Sequence, residues 1–542
     1  MKAICQTGSF ENFSMYNAIY VDKTELIYSL VSLPNRIFIS RPRRFGKSLT
    51  LDTIATLFET GVEPYFKGTW IYDKWTEPTY PVLRLNFLNF DKNSIEKFNN
   101  KLNSKITEFA ELNHVTTYKE KKEAEDSIDH LLEQLRLENR QIVILIDEYD
   151  CQMTANINNE TLYKQFQEKI KSIYANVKDK QAIKFLGITG VTRLKDVESF
   201  SVGSDINDIT NDSAYSQMIG FTRDEIKKYY IDYLKLAASY ENKCRVEEVT
   251  DTQIESMLDM MAQNYDGYCF DEFYKKKVFS TWSVNKFFQS VVSNKFVYFG
   301  EYWYDNGGLP SILVNYLKTH ELNIFEYLDK DKFLKVSDED FKNPTSLTTI
   351  NQNVLMCQTG YLTLRSSLTE SSDVFLGIPN GELYKALNKL LATKFFKGNI
   401  SISNTKGENI LNVGTVEDII SLLNTMVNTV PYDDYPLNSE SSVQNYVKAY
   451  LLGAKQNVFS EIHQAKGRAD LMIETNKRRI VIEFKYAKDE TEAKAKLSEA
   501  VEQIKSRDYG NIVPRKDGLL RIAAVFNADP KVRAFTQYKF VQ

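Results

Sequence analysis

Two groups of residues in this 542-residue chain have the types and spacing to act on phosphates. The first is Arg43, Arg44, Phe45, Gly46, Lys47, Ser48 and Leu49 in "ISRPRRFGKSLTLD", followed about a hundred residues later by Asp147 and Glu148 in "QIVILIDEYD". In such a loop, successive backbone N–H groups and the next helix's N-terminus converge on an anion. Lys47 would neutralise the β- and γ-phosphates of ATP. Ser48 and Asp147 would share a Mg²⁺, and Glu148 would polarise the attacking water. Thr189, at the end of "AIKFLGITG", is a candidate γ-phosphate sensor, and Arg193 a candidate charge-stabilising cation.

The second group is Asp470 with Glu483 and Lys485, in "SEIHQAKGRADLMIETNKRRIVIEFKYA". Two carboxylates and a lysine on neighbouring strands suit Mg²⁺ or Mn²⁺, which takes oxygen ligands and activates water for attack on a phosphodiester. Each pattern also has a plain reading. Gly-Lys-Ser and strand-end acids occur in ordinary turns, and Asp with Glu-x-Lys fits a solvent-facing salt-bridge set.

The flanking elements favour the chemical reading. "RIFIS" is a buried-strand run and "SLTLDTIATLF" has helical spacing, so strand, loop and helix follow in the order a phosphate site needs. Five consecutive aliphatics precede Asp147, as in a central parallel strand covered on both faces. Alternation along "RIVIEFKY" puts Glu483 and Lys485 on one face, among apolar neighbours where a charged pair is costly.

One departure stands out. The pattern G-x-x-x-x-G-K-[ST] has Arg41 at its first glycine. Arg41 can occupy that position only with ordinary dihedrals, which Pro42 encourages. Arg41, Arg43 and Arg44 together could embrace a triphosphate, or face an acidic partner or nucleic acid.

"YVDKTELI", "SRPRRFGKSL", "ILIDEYD", "GITGVTRL", "DINDIT", "IGFTRDEI" and "YDGYCF" occur in this order, and with them the chain resembles the AAA-ATPase-like family. Members of that family commonly lack the same glycine. The resemblance implies a P-loop NTPase core followed by a helical region, and "YWYDNGGLPSILVNYL" and "LMCQTGYLTL" match the family's middle segment. The C-terminal stretch resembles the PD-(D/E)XK nuclease superfamily, with "SESSVQNYVKAYLLGAK" and "AKAKLSEAVEQIKSRDY" as its helices. That resemblance implies Asp470 and Glu483 as metal ligands and Lys485 as the catalytic lysine. It also implies Glu440 as an outer metal ligand and Gln503 as a glutamine near the site. Ala469 stands where a proline is usual.

Composition sets the frame. Hydrophobic residues make up 43% and charged residues 26%, as in folded proteins. Five scattered cysteines and four scattered histidines offer neither a disulfide framework nor a zinc pattern. The N-terminus lacks a signal-peptide apolar run and no stretch of 18 apolar residues occurs, so a cytoplasmic protein with no membrane partner is expected. Net charge is −4, and residues 431–542 carry 19 Lys+Arg against 15 Asp+Glu, so no broad basic field is present. The dense aromatics of "STWSVNKFFQSVVSNKFVYFGEYWYDNGG" are read as core in preference to base-stacking platforms.

The expectation is an α/β multidomain protein. A P-loop NTPase with a parallel sheet occupies 1–221, a helical lid or middle region 222–430, and a PD-(D/E)XK nuclease-like α/β domain 431–542. The expected function is ATP-dependent, Mg²⁺-dependent cleavage of nucleic acid, DNA before RNA, in defence against or mobility of foreign DNA, with homo-oligomers a further expectation. The alternative is an ATP-dependent switch whose nuclease-like domain binds nucleic acid or a protein without cutting.

Overall fold

The computed structural model describes residues 1–33, 35–177, 180–194, 206–305, 311–316, 327, 331–370, 372–387, 405–428, 437–453, 456–464, 467–510 and 518–542. Part of "DINDIT" (205), of "YWYDNGGLPSILVNYL" (306–310) and of the first nuclease-like helix (454–455) lies outside them. Packing divides the chain into two compact units, Met1–Leu322 with Phe333–Leu383, and Asn323–Lys332 with Tyr384–Gln542. The three sequence segments bounded at 221 and 430 remain a proposal beside this grouping.

The first unit is built on a five-stranded sheet: β1 (Asn35–Ser40), β2 (Val82–Asn86), β3 (Ile142–Asp147), β4 (Ile183–Gly190) and the short β5 (Asn207–Asp208). The order is β2-β3-β4-β1-β5, and every pairing is parallel. All residues of β3 and β4 are buried, and β3 is accordingly an unbroken aliphatic run up to Asp147. β4 lies between the strand before the phosphate loop and the strand carrying Asp147. The helix Lys47–Thr60 starts directly from the loop, so its N-terminus faces the strand ends.

Next come the helices Arg223–Tyr229, Ile231–Asn242, Asp251–Tyr265 and Thr281–Asn294. Thr222 with Glu225, and Thr250 with Gln253, form reciprocal capping boxes that start two of them. Their apolar faces share a core with Ile19 and Val21 from the N-terminal segment. The middle is helical as expected, with one addition: an antiparallel sheet of β6 (Leu334–Ser337), β7 (Thr363–Leu364) and β8 (Asp373–Gly377), ordered β6-β8-β7. Phe287, Phe288 and Trp303 are buried in the core, whereas Phe296 and Tyr298 of the same stretch are exposed.

The second unit carries β9 (Asn457–Gln464), β10 (Gly467–Glu474), β11 (Arg479–Ala487), β12 (Leu519–Asn527) and β13 (Ala534–Phe540), in the order β13-β12-β11-β10-β9. β9, β10 and β11 form an antiparallel meander, while β11 and β12 are parallel. The connection between β11 and β12 carries the helix Glu490–Arg507. Val443, Tyr446, Val447 and Tyr450 of the helix Glu440–Gly453 share a core with Ile480, Ile482 and Phe484 of β11. Ala500 and Ile504 of the helix Glu490–Arg507 pack with Val481 and Ala523. No described helix is long and apolar enough to cross a membrane.

Candidate functional site

In the first unit the phosphate loop opens on a cavity of about 430 Å³. Arg43, Arg44, Phe45, Gly46, Lys47, Ser48, Leu49 and Glu148 are among the residues lining it, together with Ile19, Val21, Phe221 and Tyr230. Left-handed backbone at Arg44 (φ 72°) and Gly46 (φ 109°) curls the loop. The Lys47 ammonium donates to the carbonyl oxygens of Arg41 (2.9 Å) and Pro42 (3.2 Å), so the loop closes on its own lysine.

Asp147 joins two other expected residues. Its Oδ2 accepts from the Ser48 hydroxyl at 2.7 Å, and its Oδ1 accepts from the Thr189 hydroxyl at 2.6 Å. Thr189 thus reaches the acid and not the cavity wall. Glu148 has φ 54°, and burial raises its carboxyl pKa against the opposing pull of Lys47. Asn86 at the end of β2, 3.4 Å from Asp147 Oδ2, was not anticipated, because no local pattern marks it.

The three arginines separate. Arg41 keeps ordinary dihedrals, but its guanidinium turns into the interior, donating to the carbonyls of Ser40 and Thr210 and lying 4.2 Å from the centre of the Phe270 ring. It is 1% exposed and absent from the cavity wall, which corrects the expectation of three cations around one triphosphate. Arg193 pairs with Asp208 at 2.5 Å and also lies off that wall. Arg44 is held from the helical region: it donates to the carbonyls of Tyr302 and Trp303, and its own carbonyl accepts from Thr281 Oγ1 at 3.0 Å. The buried Glu382 completes this network by accepting from Ser283 Oγ and from the Trp303 N–H, both at 2.7 Å. Burial pushes its pKa up to about 7.

In the second unit the β10–β11 pairing ends at Leu471–Ile482, and Asp470 and Glu483 follow immediately on each strand. Asp470 Oδ2 accepts the Phe484 N–H at 2.8 Å in place of a ladder bond. Glu483 is 0% exposed; burial first, then Asp470, raises its pKa. Lys485 Nζ lies 3.1 Å from Glu483 Oε1 and 3.5 Å from Glu440 Oε1. The structure therefore gathers Asp470, Glu483, Lys485 and Glu440, with Gln444 hydrogen-bonded to Asp470 as an addition. Gln503 is turned to the Tyr509 hydroxyl at 3.4 Å.

Whether a divalent cation suits these residues can be read from Glu483: its Oε2 is buried without a hydrogen-bond partner. An orphaned carboxylate oxygen beside a second carboxylate is the donor set of a hard cation. Among the described residues no three His, Cys, Asp or Glu side chains gather into a cage. Two carboxylates leave the remaining positions to water and substrate, as Mg²⁺ sites commonly do.

Comparisons with known proteins match both regions of the chain. Residues 5–200 match the Predicted AAA-ATPase family and residues 438–535 the PD-(D/E)XK nuclease superfamily. An uncharacterised protein of the vnfD 5′ region in Azotobacter chroococcum mcd 1 is 24% identical over 505 residues, covering 91% of this chain and 89% of that protein. The crystal structure of Cdc6p from Pyrobaculum aerophilum is similar over 68% of this chain and 92% of its own, at 11% identity and a TM-score of 0.22, a score too low to bear on the fold. The chain is thus a fusion of an AAA-ATPase-like family region with a C-terminal region of the PD-(D/E)XK nuclease superfamily.

Proposed function

We propose that this protein binds and hydrolyses ATP at the Lys47 loop and uses that cycle to gate metal-dependent cleavage of DNA by its C-terminal site. The observation that carries the nuclease reading is the orphaned Glu483 oxygen beside Asp470, with Lys485 3.1 Å away. A divalent cation held by Asp470 and Glu483 would supply an activated water and offset charge on the phosphate. Asp470 is fixed in place by the Phe484 N–H and by Gln444. Lys485, held between Glu483 and Glu440, orients the attacking water or steadies developing charge.

At the other site, Arg43, Arg44, Lys47 and the loop N–H groups would hold the triphosphate, and Ser48 and Asp147 would hold Mg²⁺. Glu148 is poised to orient water. A cytoplasmic role in defence against, or movement of, foreign DNA would fit such a fusion.

The test is cleavage of plasmid, linear and single-stranded DNA with Mg²⁺ or Mn²⁺, with and without ATP, for wild type, Glu483→Ala and Lys47→Ala. Cleavage lost in Glu483→Ala and altered in Lys47→Ala supports the coupled nuclease. ATP binding without cleavage of any substrate would replace it with a switch that binds nucleic acid or protein.

A further inference from the structure

A turn packed against β11 and β12 carries a cation that the reading above leaves without a task. The helix Glu490–Arg507 ends at Arg507, and the turn after it is fixed from several sides. Asp508 takes left-handed backbone (φ 49°), as does Gly510 (φ 85°). Arg521 donates to the Tyr509 carbonyl at 2.7 Å and pairs with Asp508, while Arg479 donates to the Gly510 carbonyl at 2.9 Å. A Cβ on Gly510 would meet Leu519 Cδ1 at 2.6 Å and Val481 Cγ2 at 2.8 Å, so the turn is pressed onto β11 and β12.

This anchoring buries Tyr509 completely, in the cluster that holds Ala469 and Val481. Those residues precede Asp470 by one position and Glu483 by two. The Tyr509 hydroxyl accepts from Arg507 Nη1 at 2.9 Å and from Gln503 Nε2 at 3.4 Å. Arg507 is therefore exposed yet held in direction by a buried partner. It forms no ion pair with a carboxylate among the described residues. Its pKa is raised, first by Tyr509 and also by Glu483 and Asp470.

Two carboxylates repel a phosphodiester, and Lys485 is already engaged by Glu483 and Glu440. A guanidinium with one nitrogen tethered presents its remaining N–H groups as a fork that matches a phosphate. We propose that Arg507, aimed by the buried hydroxyl of Tyr509, is the residue that holds the substrate's phosphodiester at the Asp470–Glu483–Lys485 site. This assignment rests on the nuclease reading given above. It makes Arg507 a substrate-binding residue, Tyr509 a positioning residue, and gives Gln503 the role of sharing that hydroxyl.

The experiment measures DNA affinity in Ca²⁺ across a salt series, cleavage kinetics in Mg²⁺, and thermal unfolding. It uses the full chain as wild type, Arg507→Gln, Arg507→Lys, Tyr509→Phe and Glu483→Gln. Arg507→Gln is expected to raise Kd and KM about tenfold and to reduce the log Kd against log salt slope by about one. kcat and Tm should change little. Arg507→Lys should recover part of the affinity, and Tyr509→Phe should show a smaller KM increase. Wild-type Kd, KM and salt slope in Arg507→Gln, with cleavage abolished in Glu483→Gln, would overturn the Arg507 assignment and leave the nuclease standing. A lowered Tm in Arg507→Gln with unchanged Kd would make it a structural residue and also overturn the assignment. Undiminished cleavage in Glu483→Gln would remove the nuclease reading at this site, and the Arg507 assignment with it.

Discussion

The Ser48 hydroxyl donates to Asp147 across 2.7 Å, linking the residue after the loop lysine to the acid that ends β3, 99 residues later in the chain. The other oxygen of the same carboxylate takes the Thr189 hydroxyl, so three separate sequence segments meet on one side chain. If this carboxylate and hydroxyl share Mg²⁺ when ATP binds, removing either should weaken Mg²⁺-ATP far more than metal-free ATP. Ser48→Ala and Asp147→Asn are expected to lose on the order of tenfold or more in Mg²⁺-ATP affinity by titration calorimetry. Wild-type Mg²⁺-ATP affinity in both variants, or an equal loss with and without Mg²⁺, would remove them from the metal site.

Arg41 occupies the missing-glycine position but faces the interior. Arg41→Met should therefore leave ATP affinity unchanged, whereas Lys47→Met abolishes it. Two guanidinium nitrogens of Arg41 are buried without partners, so replacing a costly buried charge with an apolar chain should leave stability equal or higher. Arg41→Gly should instead lower the unfolding midpoint of the first unit, because it opens a cavity beside Phe270. Nucleotide titrations and denaturant unfolding of the three variants decide this.

Glu382 gives the first unit a pH signature. Its folded pKa is about 7, above the ordinary carboxylate range, chiefly because burial disfavours the charge. The folded state thus keeps a proton that the unfolded chain releases. The associated stability is complete below the unfolded pKa and is lost as pH rises through about 7. Wild type should therefore lose stability relative to Glu382→Gln between about pH 4.5 and 7 and hold a constant difference above that. Denaturant midpoints across this range, compared between the two proteins, supply the check; parallel curves would show that Glu382 does not titrate there.

Glu483 trades stability for its proposed task. An unpartnered carboxylate oxygen in a buried strand is unfavourable without a cation, so Glu483→Gln should raise the metal-free Tm of the C-terminal unit. The same variant should lose the Tm increase that wild type shows in millimolar Mg²⁺ or Mn²⁺. A wild-type Tm indifferent to both cations would argue against metal at this site.

Much of this was legible in the sequence because it is local. The aliphatic run before Asp147 reports a strand covered on both faces, and Gly46-Lys47-Ser48 ahead of an apolar helix reports a loop aimed at an anion. Alternation along β11 puts Glu483 and Lys485 on one face whatever the rest of the fold does. The small sheet β6-β8-β7 was not legible, since its strands are two to five residues long and β6 finds its partner β8 far along the chain. The helix Val416–Val427 reads as part of the middle region, yet Ile419, Leu423 and Met426 share a core with β11 and β12.

The sequence by itself determined which residue types stand at the ends of which strands, and with them both candidate chemistries, because strand and helix periodicity act over a few residues. Tertiary structure decided where each side chain turns. It sent Arg41 inward against Phe270, tied Thr189 to Asp147, drew Glu440 to Lys485, and fixed Arg507 on the hydroxyl of Tyr509. Side-chain direction depends on burial and on partners brought together by the fold, and those come from positions far apart in the chain.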